Sequence, residues 1–446
     1  MKTKKILFTT MALDGHFNPL TSLAVHLKRA GHDVRWYTGK AYHPRLQALD
    51  IPHYPFVKAL DINQNDVDET FPERKAIKGQ MSKLVYDIKH VFILRSPEFY
   101  EDLKGIDEEF PFDVAIADIA FTGIPFLREK MNKPVMSVGV FPVGERSKDL
   151  PPNGLGMCPS ASFTGRIKQD ILRLVSDKVI FGSCNKLMRN IFDEYGIKNI
   201  PGNVFDILYR KSSMVLQIGT PGFEYQRSDL AANIRFIGPL LPDFRKIQTL
   251  SPDFMEKIQR HEKVILVTQG TVEKDPQKII VPVLEALKDS AYLVIATTGS
   301  SGTAMLRKRF PQKNIIIEDF IPFTEVMPYC DVYITNGGYG GVMLGIGHQL
   351  PMIAAGIHEG KNEICARIGY FNLGINLRTE YPSAVQIWKS VEKILNDPLY
   401  KRNVVKLREE FKQYPSRSLV DKYLEELLEK DAVSEDVRLN LQPVLE

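Results

Sequence analysis

Short apolar runs alternate with amphipathic segments along the first half of the chain. The apolar runs predict strands at residues 5–10, 34–38, 112–118 and 133–140. Between the first two runs, leucines recur at helical spacing and predict a helix over 19–30, with Pro19 in its first turn and Gly31 after its end. Strands that alternate with helices predict parallel sheets covered on both faces.

The second half of the chain repeats this alternation without an obvious sequence repeat. Its predicted strands are 263–271, 291–299, 314–321, 331–336 and 351–356, and a helix is predicted at 279–289. Residues 54–105 and 151–215 fit the alternation less well, and we predict that they are helical insertions and long loops.

A segment containing proline and glycine, residues 236–246, separates the two halves and favours a linker. We therefore predict an α/β fold of two doubly wound, Rossmann-like domains facing a shared cleft. The predicted divisions are a first domain at 1–237, a linker at 238–250, a second domain at 251–412, and a C-terminal segment at 413–446 with a helix near 418–430 and a mobile tail after Ala432. In such folds ligands bind at the carboxyl ends of the strands.

Composition narrows the classes of protein. The chain has 446 residues, of which 44% are hydrophobic and 25% charged, as in ordinary soluble globular proteins. The net charge is only +4, and basic and acidic residues are mixed throughout, so we predict no nucleic-acid partner. Four widely spaced cysteines form no CxxC motif, and we predict no metal site.

The N-terminal run KILFTT is too short for a signal peptide and lacks a small-residue cleavage site, so we interpret it as a buried strand. No apolar stretch approaches the roughly 18 residues of a membrane span. We predict a cytoplasmic protein, a monomer or weak dimer, without a membrane span.

Two polar residues follow predicted strands of the first half. His16 lies in a predicted loop, 14–19, between the first strand and the first helix, where an imidazole can serve as a general base. The alternative is a surface histidine that caps the helix. Asp118 ends the strand 112–118 and can orient His16, or alternatively cap the helix that follows. The loop is not a GxGxxG motif, which argues against a dinucleotide site.

A glycine-rich turn follows the strand 331–336. Its residues are Asn336, Gly337, Gly338, Tyr339, Gly340 and Gly341. Several glycines between a strand and a helix allow backbone N–H groups to approach an anion, so a phosphate or diphosphate is the predicted ligand. The alternative is a tight turn with close packing.

Two further segments can contribute to this anion site. Gln269, Gly270 and Thr271 form the turn after the first strand of the second half, and an ordinary turn is the alternative interpretation. Phe320 and Ile321 precede a proline turn, where an aromatic ring can stack on a base, although a single aromatic is more often part of the core.

The chain resembles the family 1 glycosyltransferases of GT-B fold over nearly its whole length. The segment DGHFNPLTSLAVHLKRAGHDVRWYT is similar to the family's GHxxP loop, helix and GHxV strand. The segment FIPFTEVMPYCDVYITNGGYGGVMLGIGHQLPMIAAG is similar to the family's donor-binding segment. The two segments, in this order, indicate this family more specifically than either segment does alone.

The resemblance implies inverting transfer of a hexose from a nucleoside-diphosphate sugar to a small lipophilic acceptor such as a phenol, flavonoid or macrolide. The co-substrate is a UDP- or TDP-sugar, with UDP-glucose as the family default, and neither a cofactor nor a metal is obligatory. His16 matches the general base and Asp118 the orienting aspartate. The first domain holds the acceptor, with Phe17, Phe121 and Phe141 as candidate contacts, and the last helix returns to this domain.

The sequence departs from the family pattern at the donor site. Asn336 stands where the family usually has histidine, and Gly340 and Gly341 stand where it has side-chain donors. In place of the acidic–Gln pair that holds the sugar, the chain has His-Glu-Gly-Lys at 358–361, of which Glu359 is the best match and Lys361 a further candidate. The nucleotide and the sugar of the donor therefore stay open.

Two alternatives to a glycosyltransferase remain from the sequence. The altered donor motif also fits a non-catalytic GT-B homologue that binds a nucleotide sugar, although the presence of both His16 and Asp118 argues against it. Another GT-B enzyme, such as a nucleotide-sugar epimerase, is the second alternative.

Overall fold

The computed structural model describes residues 3–62, 67–240, 250–270, 273–358 and 360–440. Two sheets, in which every strand pairs in parallel, form the centre of the two halves. The predicted α/β class with doubly wound sheets is confirmed.

The first sheet has seven strands in the order β3-β2-β1-β4-β5-β6-β7. These are β1 (Lys5–Thr9), β2 (Asp33–Thr38), β3 (His53–Pro55), β4 (Val114–Asp118), β5 (Val135–Gly139), β6 (Met214–Ile218) and β7 (Ile234–Gly238). The chain proceeds outward from β1 in one direction and from β4 in the other. The carboxyl ends of β1 and β4 therefore border the crevice at which doubly wound sheets bind ligands.

The second sheet has six strands in the order β10-β9-β8-β11-β12-β13. These are β8 (Val264–Thr268), β9 (Leu293–Thr297), β10 (Ile315–Glu318), β11 (Val332–Thr335), β12 (Met352–Ala354) and β13 (Gly374–Asn376). Its corresponding crevice lies between β8 and β11.

Helices cover both sheets. Those of the first half are α1 (Asp14–Arg29), α2 (His43–Ala48), α3 (Val67–Thr70), α4 (Gln80–Asp87), α5 (Ser96–Glu109), α6 (Ile124–Glu129), α7 (Phe163–Val175), α8 (Gly182–Tyr195) and α9 (Val204–Lys211). The remaining helices are α10 (Pro252–Gln259), α11 (Ile280–Leu287), α12 (Thr303–Arg309), α13 (Phe323–Val326), α14 (Tyr339–Gly347), α15 (Lys361–Tyr370), α16 (Ala384–Asn396), α17 (Pro398–Phe411) and α18 (Ser416–Asn440). Single π-helical turns occur at Ile88–Phe92 and Ser176–Ile180.

The central strands are continuous apolar runs because helices cover them on both sides. All five residues of β4, including Asp118, are buried, as are all five of β8. This uninterrupted burial is the reason that the sequence predicted these strands correctly.

The first helix begins earlier than predicted. The N–H groups of His16 and Phe17 donate to the carbonyl of Leu13 at 3.0 and 2.9 Å, so α1 starts at Asp14. Pro19 lies inside the helix rather than in its first turn, at a position where an N–H would otherwise pair within the helix. The predicted loop 14–19 is therefore wrong, and His16 is on the first helical turn.

Four strands were not predicted: β3 and β13, which are only three residues long, and β6 and β7. β6 lies across the end of the predicted insertion 151–215, and β7 includes the start of the predicted linker segment 236–246. Both strands are five residues long and contain a polar residue, Gln217 in β6 and Arg235 in β7, which interrupts the apolar run. Residues 241–249 lie outside the described residues, and the domain boundaries stay predictions.

The C-terminal helix α18 packs on the first half. His26 of α1 contacts Asp421 at 2.8 Å between Nε2 and Oδ1, and Val420 and Leu424 are fully buried. The helix continues to Asn440, beyond the predicted end, so the tail predicted after Ala432 begins as helix; residues 441–446 lie outside the described residues. Within the described ranges no helix is both long and apolar enough to cross a bilayer.

Truncation of a side chain on the buried face of α18 tests this packing. We expect Leu424→Ala to lower the free energy of unfolding by about 2–5 kcal/mol, because it leaves a cavity against the first half. Lys422→Ala on the exposed face is the control and should change it by less than about 0.5 kcal/mol. Urea unfolding measures the stability of both variants. Equal unfolding midpoints for the two would show that α18 is not packed as described.

Candidate active site

His16 and Asp118 form a hydrogen-bonded pair at the crevice of the first sheet. The imidazole Nδ1 lies 2.8 Å from Asp118 Oδ1. Asp118 is completely buried, whereas the His16 side chain is 17% exposed. The pair arises because β1 and β4 are adjacent parallel strands, so that the chain leaving β1 passes the last residue of β4.

The hydrogen bonds to Asp118 favour one tautomer of the neutral His16 ring. The backbone N–H of Met11 donates to Oδ2, and that of Ala120 donates to Oδ1, both at 2.8 Å. With these donors the carboxylate acts as an acceptor, so Nδ1–H of His16 donates to it and Nε2 keeps its lone pair. An imidazole held in this way can accept a proton at Nε2.

The alternative roles of the two residues do not fit this geometry. Gly123, not Asp118, precedes the first residue of α6, and no side chain caps that helix. His16 is within the first turn of α1 and bonds to a carboxylate rather than to a helix end.

The glycine-rich segment comprises a short turn and the start of a helix. The Asn336 side chain donates to the carbonyl of Gln269 and accepts from Gly338 N–H at 3.3 Å. Gly337 has a φ of +84°, and a Cβ there would lie 2.4 Å from Cys365 Sγ. The turn is therefore Asn336–Gly338, and the Asn336 amide holds it together instead of pointing outward.

Two helices begin beside this turn. α14 starts at Tyr339, so the N–H groups of Gly340 and Gly341 belong to a first turn that has no intrahelical acceptor for them. Gly340 is exposed, and no atom lies within 4 Å of where its Cβ would be. α15 starts at Lys361, whose Cβ lies 3.8 Å from the Cβ position of Gly337. Two positive helix ends and a lysine thus converge, which favours an anion.

The turn after β8 holds three predicted donor contacts, Gln269, Gly270 and Thr271, which stay predictions. The Gln269 side chain is fully buried, and its Nε2 donates to the carbonyl of Asp275 at 3.0 Å, whereas its Oε1 has no protein partner. Gly270 has a φ of +77° and lies beside the Asn336 amide. Thr271 and Glu359, both predicted donor contacts, lie outside the described residues.

Three other predicted donor contacts differ in exposure. The Tyr339 ring is buried, and its hydroxyl donates to the carbonyl of Ile218 at 2.7 Å, so the side chain joins the halves instead of facing a ligand. Ile321 is a core residue. Phe320, in contrast, is 66% exposed beyond the carboxyl end of β10, where a base could stack on it.

Two of the three predicted acceptor contacts belong to the core. Phe17 is buried between Trp36 and Tyr42, with ring centroids 4.6 and 4.4 Å away, because the α1 face that carries it packs on the sheet. Phe121 is fully buried 4.7 Å from Phe99. Neither side chain is exposed to solvent in this structure, and acceptor contact by Phe17 and Phe121 stays a prediction. Phe141 is partly buried and stays a candidate.

The two groups of residues lie near the carboxyl ends of the strands of the first sheet. Tyr339, in the first turn of α14, reaches the last residue of β6. One strand, β5, separates β6 from the β4 strand that carries Asp118, a distance of about 10 Å at the usual strand spacing. The start of α14 and the His16–Asp118 pair therefore both lie near the carboxyl ends of the central strands of the first sheet.

A buried ion network that the sequence analysis missed joins the halves. Arg367 is 2% exposed and contacts Glu224 at 2.9 Å and Glu363 at 3.2 Å. Glu363 also accepts from the N–H groups of Gly154 and Gly156 at 2.9 and 2.8 Å. Burial opposes the charge on Arg367, but the two carboxylates raise the pKa of its guanidinium. No sequence signal separates this arginine from a solvent-facing one on an amphipathic helix.

A second missed network supports the loops of the second half. Lys278 contacts both Glu273 and Glu380, and Glu380 also accepts from His358 N–H at 3.2 Å. Burial alone would lower the pKa of the Lys278 ammonium, but its two carboxylate partners raise it. This network fixes the segment that leads to Lys361.

In the described ranges no three His, Cys, Asp or Glu side chains are grouped so that they could hold a metal ion. Independence from metal stays a prediction.

The comparisons with known proteins agree with this architecture. The chain is 31% identical to 4'-demethylrebeccamycin synthase of Lentzea aerocolonigenes over 411 residues, which cover 91% of this chain and 95% of that protein. The family described as "Erythromycin biosynthesis protein CIII-like, C-terminal domain" matches residues 282–427. The chain therefore belongs to the family 1 glycosyltransferases and is a glycosyltransferase enzyme with the GT-B fold.

Two further comparisons extend over nearly the whole chain. UDP-glycosyltransferase 2 of Phaeomoniella chlamydospora is 28% identical over 438 residues, which cover 95% of each protein. The crystal structure of the glycotransferase of kitacinnamycin superposes with a TM-score of 0.74 at 16% identity, covering 96% of this chain and 100% of that chain. The predicted resemblance and the GT-B fold are thus confirmed.

Two glycines of the donor segment form a matched pair for mutagenesis. We expect Gly337→Ala to lower the free energy of unfolding by at least about 2 kcal/mol, since its Cβ would collide with Cys365 and its φ is left-handed. Gly340→Ala adds a methyl group in open space on a helix and should keep or raise stability by up to about 1 kcal/mol. Urea unfolding compares them, and equal stability would contradict the tight packing of the turn.

Proposed function

We propose that this glycosyltransferase inverts the anomeric carbon while moving a hexose from a nucleoside-diphosphate sugar to a small lipophilic acceptor. The observation that carries the proposal is the His16–Asp118 pair at the carboxyl end of β4, two strands from the β6 residue that Tyr339 of α14 contacts. A single base with an orienting carboxylate is sufficient for direct displacement, in which no protein nucleophile takes part.

The reaction proceeds in one step at this pair. The acceptor hydroxyl attacks the anomeric carbon as Nε2 of His16 takes its proton, and Asp118 stabilises the imidazolium that forms. The bond between the anomeric carbon and the diphosphate oxygen breaks, and the nucleoside diphosphate leaves with the electron pair. Attack and departure occur on opposite faces of the sugar, so the configuration inverts.

The leaving diphosphate binds at the two helix starts. The first-turn N–H groups of Gly340 and Gly341 donate to its oxygens, and Lys361 supplies a positive charge beside them. These groups stabilise the negative charge that grows as the bond breaks. With them in place, we propose that the reaction requires no metal ion.

UDP-glucose is the proposed donor. The name of the P. chlamydospora relative, a UDP-glycosyltransferase, supports UDP as the nucleotide. Glucose is the family default, and a TDP-sugar is the alternative to be tested beside it. The exposed ring of Phe320 lies where it can stack on the base.

The acceptor side is proposed to be the first half of the chain, around the exposed edge of His16. The Phe92 ring lies 6.4 Å from the His16 ring and is only partly buried, as is Phe141. The name of the L. aerocolonigenes relative refers to 4'-demethylrebeccamycin, which supports a small molecule as the acceptor. Phenols, flavonoids and macrolides are the classes to be screened.

Removal of the proposed base tests the mechanism. We expect His16→Ala to lower kcat by about 10²–10⁴-fold, because the acceptor proton has no receiver, while the Kd for UDP changes little. His43→Ala, at an exposed position on α2, is the control and should keep wild-type turnover. Product formation from UDP-glucose and calorimetric binding of UDP are the two measurements. A variant that transfers glucose at the wild-type rate would rule out His16 as the base.

Removal of the exposed aromatic tests the donor site separately. We expect Phe320→Ala to weaken UDP binding by roughly tenfold, since stacking of a base on an aromatic ring contributes about 1–3 kcal/mol. The matched control is Trp388→Ala, which removes a 40% exposed ring that stacks on Tyr292, at the amino end of β9 and away from the carboxyl end of β10. Calorimetry gives both Kd values. If Phe320→Ala binds UDP as tightly as Trp388→Ala, the base does not stack there.

A further inference from the structure

Helix α7 presents a row of apolar side chains to solvent. They recur every three or four residues and therefore share one face of the helix. The exposed fractions are 78% for Phe163, 43% for Ile167, 56% for Ile171 and 61% for Leu174. We call these four residues, together with Val179 in the π-helical turn that follows, which is 73% exposed, the α7 face.

Polar contacts on the inward side of α7 hold the helix with its apolar side toward solvent. Gln169 is the only residue of α7 that is buried, and its side chain accepts from Ser160 N–H at 2.6 Å and donates to the carbonyl of Asp149 at 3.4 Å. Arg173 donates to the carbonyl of Leu150 on the same side. Surface helices normally bury their apolar stripe against the core, so the opposite orientation requires another partner for that stripe.

Positive charges border the α7 face. Arg166, Lys168 and Lys178 are exposed, and none of them has a carboxylate partner among the described residues. The acidic Asp170 on the same helix is neutralised by Arg173. An apolar row bordered by unpaired cations is typical of helices that lie in the interface of anionic membranes.

We propose that the α7 face docks on a membrane surface that carries anionic lipids. The apolar side chains enter the boundary between headgroups and acyl chains, while the three cations contact lipid phosphates. A second copy of this chain is a poorer partner, because docking of two such faces would bring their cations together. The helix lies on the bilayer and does not cross it.

Vesicle flotation of the full chain tests the proposal without reference to glycosyl transfer. The probes are vesicles of equal parts phosphatidylglycerol and phosphatidylcholine, and vesicles of phosphatidylcholine alone. We expect flotation with the first and little with the second. The double variant Ile171→Asp, Leu174→Asp should bind the anionic vesicles at least about tenfold more weakly, because it places charge in the apolar row.

Two further variants control for folding and for charge. Met305→Asp replaces a 55% exposed apolar residue on α12 and should bind as the wild type does. Lys168→Gln with Lys178→Gln leaves the apolar row intact and should weaken binding by about fivefold for each charge removed. Circular dichroism spectra and melting curves identify any variant that is not folded.

Three results would overturn the proposal. The first is no flotation of the wild type with anionic vesicles, and the second is equal flotation with neutral ones. The third is light scattering that shows a dimer in the wild type and a monomer in the Ile171→Asp, Leu174→Asp variant, which would identify a second copy as the occupant of the α7 face.

Discussion

The hydrogen bond between His16 Nδ1 and Asp118 Oδ1 is the contact on which the proposed chemistry of this protein depends. It exists because β1 and β4 pair in parallel, with Thr9 beside Ala117, so that the two chain segments leave the sheet side by side. It also requires α1 to begin at Asp14, which places His16 on a rigid helical turn. Two backbone N–H groups complete the shell around the carboxylate and leave it no freedom to rotate away.

Three sets of contacts hold the second half against the first half, which carries this pair. The Tyr339 hydroxyl, the Arg367 ion network and the return of α18 to α1 all join the halves through buried or partly buried contacts. A buried arginine with two carboxylates adds little net stability compared with apolar packing, but loss of one member leaves an uncompensated charge. Such a network favours one arrangement of the halves over others, and Glu363 extends it to the backbone N–H groups of Gly154 and Gly156 in the first half.

The sequence was informative where one physical rule determines the structure. Buried parallel strands such as β4 and β8 are continuous apolar runs, so the sequence predicts where they lie. Polar residues that follow neighbouring strands of one sheet meet at its carboxyl end. For this reason His16, after β1, could be paired with Asp118, at the end of β4, before the structure was known. It was uninformative about which way a side chain points. Phe17 lies next to His16 in the sequence but faces the core, and Gln269 and Tyr339 are turned into hydrogen bonds that only the tertiary structure creates. The short strands β6 and β7 escaped prediction because polar residues interrupt them.

The tautomer of His16 tests the central claim most directly. Long-range ¹H–¹⁵N NMR spectra of the full chain labelled at histidine, with His16 assigned through a His16→Asn variant, report which ring nitrogen carries the proton. The account predicts that the neutral ring is protonated at Nδ1, toward Asp118, with Nε2 unprotonated, and that Asp118→Asn removes this preference. A wild-type His16 ring protonated at Nε2 would contradict it, because that nitrogen could then not accept the proton of the acceptor.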